Sequence, residues 1–221
     1  MIRNILEYLE RSENKFPDKT AFADEGASCT YAELKMRARA VGTCLAQKVS
    51  PRMPVPVLME KSVNAIYSFM GAVYGGCFYV LLDPKLPSQR LRQILDTLKA
   101  RVLVADLKYK KQLDGLGFEG VVIDIEEAVK AQEDPVLLEQ IRSQRLDIDP
   151  LYANFTSGST GIPKGVVVSH RSVIDFMEDF TEIFGITDKD VIGNQAPFDF
   201  DVSVKDIYST LKTGAAMQII P

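Results

Sequence analysis

The chain opens on an amphipathic stripe. Ile2, Ile5, Leu6 and Leu9 fall at i, i+3, i+4 and i+7, one face of a helix, and Phe16-Pro17-Asp18 breaks it. Thr30, Tyr31, Ala32 and Glu33 then form a capping box, in which hydroxyl and carboxylate satisfy the orphan donors of a helix start. The helix it opens is predicted to run to about Val49, with Leu34, Ala38, Val41 and Leu45 inward. Pro51, Pro54 and Pro56 punctuate the approach to a short apolar strand at 57–59. From there helical periodicity alternates with continuous apolar runs. Helices are predicted at 62–74, 88–99, 171–184 and 202–212, with a charged helical excursion over 126–145. Strands are predicted at 78–82, 102–105, 121–124, 151–156, 165–168, 191–195 and 216–220, and Gly75-Gly76 reads as a left-handed helix stop. This alternation implies an α/β layered fold with mostly parallel sheets flanked by helices. The last strand runs out at Ile219-Ile220-Pro221 with no helix to cover it, the pattern expected of a fragment, with an unfinished sheet edge at 216–220 that favours association.

Composition narrows the function classes. Hydrophobic residues at 46% and charged residues at 25% exclude a disordered chain. Lys and Arg number 26 against 30 Asp and Glu, a net charge of −4 without a basic stripe, which argues against a nucleic-acid binder. No apolar run approaches the roughly 20 residues of a membrane span, and the start lacks the pattern of a signal peptide, so no transmembrane segment and a cytoplasmic location are expected. Cys29, Cys44 and Cys77 cannot all pair and form no C-x-x-C, and with the single His170 they make no zinc cluster; reduced, mostly buried thiols are expected, and no metal ligand is assigned. His170 follows the apolar run 165–168 and a serine, where a helix starts, and is read as structural or capping rather than catalytic. With one histidine and no G-x-S-x-G elbow, Ser-His-Asp hydrolysis is disfavoured.

The stretch from Asn154 to Gly165 carries the most chemistry. Thr156, Ser157, Gly158, Ser159, Thr160, Gly161 and Lys164 lie between two apolar strands. Glycines let backbone N–H groups turn toward an anion, hydroxyls add donors, and the lysine adds a mobile positive charge, which together suit a polyphosphate cradle. It is not a Walker A loop, because Lys164 follows Pro163 and no helix-starting Ser or Thr follows it. Spacing alone leaves a flexible surface loop as the alternative.

The run TSGSTGIPKG, Thr156 to Gly165, resembles the phosphate-binding signature of the adenylate-forming superfamily, which includes acyl-CoA synthetases, luciferases and nonribosomal peptide synthetase adenylation domains. Thr30 to Leu34 is similar to its T-Y-x-E-L element. Gly76 to Pro84 is similar to its G-x-x-Y-x-P-x-D-P element, with Leu81 where the family usually has proline. The segment from Asn194 to Tyr208 resembles the F-D-x-S-V element of the amino-acid-activating branch, most closely that of the D-alanine–D-alanyl carrier protein ligases, with peptide synthetase adenylation domains as close rivals.

The resemblance implies binding of ATP with Mg and of an amino acid, formation of an aminoacyl-adenylate, and transfer to the phosphopantetheine thiol of a carrier protein. It covers the whole chain but only the front part of the family's architecture: residues 1–221 would be an incomplete N-terminal AMP-binding domain, inactive alone, with the lid domain and a complete catalytic set absent. By the same match Thr156, Ser157, Ser159, Thr160 and the loop amides hold phosphates, Lys164 follows the pyrophosphate, and Asp201 grips the substrate ammonium. Such a pair is worth about 4 kcal/mol at ~4 Å and an effective dielectric near 20. The alternative makes Asp201 a helix N-cap. Asp199, two residues away, would share its face if the segment were extended. Phe200 is read as a pocket wall or, equally, a core residue.

Overall fold

Two sheets organise the chain in the computed structural model, which describes residues 2–156 and 163–221. Strands β1 (Thr20–Ala23) and β2 (Ser28–Thr30) belong to one sheet, with β9 (Val191–Asn194) and β10 (Ala216–Ile219), in the order β2-β1-β10-β9. The other holds β3 (Pro54–Leu58), β4 (Phe78–Leu82), β5 (Val102–Ala105), β6 (Val121–Asp124), β7 (Pro150–Thr156) and β8 (Lys164–Ser169), in the order β6-β5-β3-β4-β7-β8. All its pairs are parallel except β7–β8, which forms an antiparallel hairpin. The expected layered α/β architecture with mostly parallel sheets is therefore the observed one.

Both faces of the larger sheet are buried at its central strands β3, β4 and β5, which is why these read as unbroken apolar runs, while the edge strands β6 and β8 are largely exposed. Val55, Val57, Tyr79, Leu81, Val102 and Val104 join a core that also takes in Phe22, Met217 and Ile219 of the smaller sheet. Leu58, Val80, Leu82, Leu103 and Ala105 point the other way, onto Leu91, Ile94 and Leu95 of helix α4 (Ser88–Leu98) and Leu113 and Leu116 of α5 (Lys110–Leu116). Helix α1 (Leu6–Lys15) and helix α2 (Tyr31–Ala46) bury Ile5, Leu6, Leu9, Leu34, Ala38, Val41 and Leu45 in the shared core, alongside α3 (Val63–Tyr74). The capping box forms: Thr30 Oγ1 accepts from the Glu33 N–H at 3.2 Å, and the Thr30 N–H donates to Glu33 Oε2 at 2.9 Å. Gly76, at φ +76, supplies the left-handed stop after α3. Among the described residues no helix is long and apolar enough to cross a membrane.

Several expectations are corrected. The strand placed at 57–59 begins at Pro54. Met53 O accepts from Phe78 N–H on the β4 side, and Leu58 O accepts from Asp106 N–H on the β5 side. Pro54 and Pro56 share the side of Leu58, where pairing with β5 starts only at Val57, so their missing donors cost no ladder bond. The 126–145 excursion is two helices, α6 (Ile125–Ala128) and α7 (Pro135–Ser143), the second capped by Asp134 and started by Pro135. Strands β1 and β2, four and three residues long, are too short for the sequence pattern to announce. Strand β10 is not an edge: it pairs in parallel with β1 on one side and β9 on the other.

Candidate active site

Strands from both sheets end at one cleft. Asp24 follows β1, Met59 and Glu60 follow β3, Asp83 follows β4, Asp106 follows β5 and Gln195 follows β9, and all line a cavity of about 650 Å³. Ligands of open α/β sheets bind beyond such carboxyl ends, where backbone and loops are free to diverge. Asp199 also lines this cavity. Burial raises its carboxyl above the ordinary carboxylate range, and the neighbouring Asp83 pushes the same way.

The hairpin of β7 and β8 frames the sequence-predicted phosphate loop. Thr156 and Lys164 are directly paired across it, and both are exposed. Paired residues of an antiparallel ladder put their side chains on one face, so a hydroxyl and an ammonium stand together at the hairpin mouth. One step down, Phe155 pairs with Gly165, and a Cβ on Gly165 would come within 3.0 Å of the Phe155 ring. Arg90 of α4 braces the same level, its Nη2 donating to Phe155 O at 3.2 Å. Ser157, Gly158, Ser159, Thr160 and Gly161 lie outside the described residues. Sequence reasoning missed Arg90, because an arginine among the polar positions of an amphipathic helix carries no local signal of a long-range partner.

The segment that carries the two aspartates is a turn, not an extended chain. Asp199 and Asp201 therefore part: Asp199 turns toward the cavity, and Asp201 stands exposed at the start of helix α9 (Val202–Thr213). Asp201 occupies the N-cap position with helical backbone (φ −60, ψ −25), and its side chain makes no cap hydrogen bond, so the capping alternative is not what the geometry shows. Its N–H faces the side-chain amide of Asn154 at 3.2 Å; the hydrogen-bond pattern assigns the amide oxygen to that position, with the amide nitrogen then donating to Ala153 O at 3.3 Å. The phenol of Tyr152 on the same strand is pushed up to about 12 by burial and by the Asp201 carboxylate beside it. Phe200 is 60% exposed, which overturns its reading as a core residue. Behind the turn, Phe198 packs on Phe69, which stacks on Tyr79, and Tyr79 shares a 2.8 Å hydroxyl hydrogen bond with Tyr208 of α9. Asn194 donates to Asp206 at 2.9 Å, fixing α9 to the end of β9.

His170 is structural. It is fully buried as the first residue of helix α8 (His170–Ile183), while Ser169 provides the cap, and its Nδ1 accepts from the Ile5 N–H at 3.2 Å. The three cysteines are unbridged; Cys29 and Cys77 are buried, and burial pushes each thiol up to about 11.

Comparison with known proteins agrees with this arrangement. The chain is 30% identical over 220 residues to gramicidin S synthase 1 of Brevibacillus brevis, covering 99% of this chain and 20% of that one. It is 31% identical over 229 residues to the D-alanine–D-alanyl carrier protein ligase of Bacillus anthracis, covering 98% of this chain and 42% of that one. It thus spans less than half the length of either relative. Among solved structures it is similar to the AMPPNP-bound form of the nonribosomal peptide synthetase FmoA3, with a TM-score of 0.87 and 27% identity over 99% of this chain and 23% of that one. The family described as AMP-binding enzyme matches residues 9–221, and to that family the chain belongs.

Proposed function

We propose that residues 1–221 are the front part of the N-terminal domain of an ATP-dependent amino-acid-activating ligase, and that its amino acid is D-alanine destined for a carrier-protein thiol. One observation carries the reading. The Asp201 N–H lies 3.2 Å from the side-chain amide of Asn154, two residues before Thr156, so the candidate ammonium clamp and the mouth of the candidate phosphate loop meet at the end of one strand. Substrate amine and nucleotide phosphates would thus be held from a common rigid element, which converts a bimolecular encounter into a positioned one.

In the proposed reaction MgATP is a substrate. A carboxylate oxygen of the amino acid attacks the α-phosphorus, the bond from that phosphorus to its bridging oxygen breaks, and pyrophosphate leaves with the electron pair. Thr156, with Ser157, Gly158, Ser159, Thr160 and Gly161, holds the β- and γ-phosphates, and Lys164 balances the charge that develops on the leaving group. Asp201 orients the amino acid through its α-ammonium, and Phe200 walls the pocket beside it. A carrier-protein phosphopantetheine thiol then takes the aminoacyl group and releases AMP. The similarity to gramicidin S synthase 1 supports a second reading, a peptide-synthetase adenylation domain with the same first step and a different amino acid.

The test is ATP-dependent pyrophosphate exchange across an amino-acid panel that includes D-alanine and L-alanine, on the longest protein the gene encodes and on residues 1–221. Exchange is expected only in the longer protein, selective for D-alanine, and lost in Asp201→Ala. Selectivity for another amino acid establishes the second reading, and no exchange in either protein defeats both. Enzyme-like exchange by residues 1–221 alone contradicts the expected incompleteness of this part.

A further inference from the structure

Away from the strand ends, helices α1, α2, α3 and α7 enclose a cavity of about 270 Å³ lined by Glu10, Arg39, Tyr74, Glu139, Arg142 and Arg145 among others. Two of its three guanidinium groups are matched. Arg142 bonds both oxygens of Glu10 at 3.2 Å, and Arg39 bonds Glu133 at 2.6 Å while lying over the Tyr74 ring. Arg145 is not. Its side chain is only 5% exposed, its Nη1 donates to Gly76 O, its Nε stands 3.2 Å from Asp149 Oδ2 without hydrogen-bond alignment, and its buried Nη2 has no partner among the described residues. Its one carboxylate, Asp149 at 3.2 Å, is shared: Arg52 Nε holds Asp149 Oδ1 at 2.7 Å, and the Leu146 N–H occupies Oδ2 at 2.9 Å. Burial accordingly lowers the Arg145 titration below its ordinary value.

A second orphan lies close by. His170, outside the cavity lining, accepts at Nδ1 from Ile5, so the neutral ring carries its proton on Nε2, and that buried donor has no partner among the described residues. Buried donors without acceptors cost free energy, and a buried guanidinium sharing one carboxylate is short of negative charge. An acceptor that is itself negative, seated in the cavity that Arg145 lines, meets the need of its guanidinium, and a planar guanidinium edge matches the oxygens of a tetrahedral anion.

We propose that this interhelical cavity is a binding site for a small tetrahedral oxyanion of the inorganic phosphate class, held chiefly by Arg145 with Arg142 and Arg39 at its sides. The site is separate from the β7–β8 hairpin, so its occupancy is independent of the proposed ligase chemistry.

The experiment is a calorimetric titration of residues 1–221 with inorganic phosphate at constant ionic strength, chloride being the exchanged anion. It is run on the wild type, Lys164→Ala, Arg145→Met and Arg39→Gln. Arg39 lies on the cavity wall away from the Asp149 cluster, so Arg39→Gln keeps the test alive if Arg145→Met fails to fold. The expected result is phosphate binding that persists in Lys164→Ala and weakens about tenfold or more in each arginine variant. Binding abolished by Lys164→Ala and unchanged in Arg39→Gln would assign the phosphate to the hairpin and overturn the proposal. Absence of binding to the wild type would leave the cavity to water and overturn it equally.

Discussion

His170 shows how one buried side chain ties two distant parts of the chain to pH. Burial, followed by the nearby Arg145 cation, pushes its titration down to about 3 from an ordinary 6.5. The neutral ring is therefore the folded form, while the unfolded chain binds a proton below pH 6.5. Between those values the unfolded state holds more protons, so stability rises with pH and is lost as pH falls from about 6.5 toward 3, by on the order of 3–5 kcal/mol across the window. Asp149, held below the usual carboxylate range by Arg52 against the opposing effect of burial, adds an acid loss only at lower pH. His170→Gln keeps an acceptor for the Ile5 N–H and removes the titration. Urea unfolding followed from pH 7 to pH 4 is expected to show a flatter acid limb in His170→Gln; parallel limbs would sink the argument. The sequence placed His170 at a helix start, but its partner lies 165 positions away, and nothing local to either residue announces the contact. Asp201 is singled out in the sequence by the motif around it, and its grip on an ammonium is the proposal made above, whereas the turn that separates it from Asp199 has no periodicity to read.

At the scale of elements, helices α2 and α3 meet almost backbone to backbone. A Cβ on Gly71 would fall 2.5 Å from Val41 Cγ1 and 3.2 Å from Ala38 O, and one on Gly42 would fall 2.7 Å from Tyr74 Cβ. These glycines let the two backbones meet, so alanine there must push the helices apart. Gly71→Ala is expected to cost about 1–3 kcal/mol even though alanine is the better helix former. Gly115 in α5 has nothing within 4 Å of its would-be Cβ, so Gly115→Ala is expected to be neutral or to stabilise by about 0.5–1 kcal/mol. Urea midpoints at unchanged m-value check both signs, and a stabilised Gly71→Ala would contradict the packing. Sequence pattern found the helices because their apolar faces repeat, and it found Gly76 because a paired glycine after an apolar helix is a stop signal. It could not say which mid-helix glycine faces a neighbour. Nor did it admit Pro54 and Pro56 to β3, since that depends on which edge of the strand is paired.

The whole molecule depends on contacts between segments at opposite ends of the chain. Strand β10 completes the smaller sheet by entering between β1 and β9, with Met217 opposite Phe22 on one side and Ile192 on the other. That arrangement was invisible in sequence, where β1 is four residues long and nearly two hundred positions from its partner. Met217 and Ile219 also pack into the same core as Val55, Tyr79 and Leu151 of the larger sheet, and the Tyr79–Tyr208 hydrogen bond joins α9 to that sheet. Because the smaller sheet has its buried side chains in the core it shares with the larger one, a single cooperative transition is expected. Met217 is 1% exposed, and Met217→Ala removes buried volume at the centre of this junction, at an expected cost of about 2–5 kcal/mol. Gln218, its exposed neighbour on the other face, is expected to change stability by less than about 0.5 kcal/mol as Gln218→Ala. The chain has no tryptophan, so tyrosine fluorescence and far-ultraviolet circular dichroism are the two probes of urea unfolding. In Met217→Ala both should shift together to a lower midpoint. An early phase seen by only one probe, with the main transition left in place, would mean that the smaller sheet unfolds alone and that the cleft between the sheets is not held as one piece.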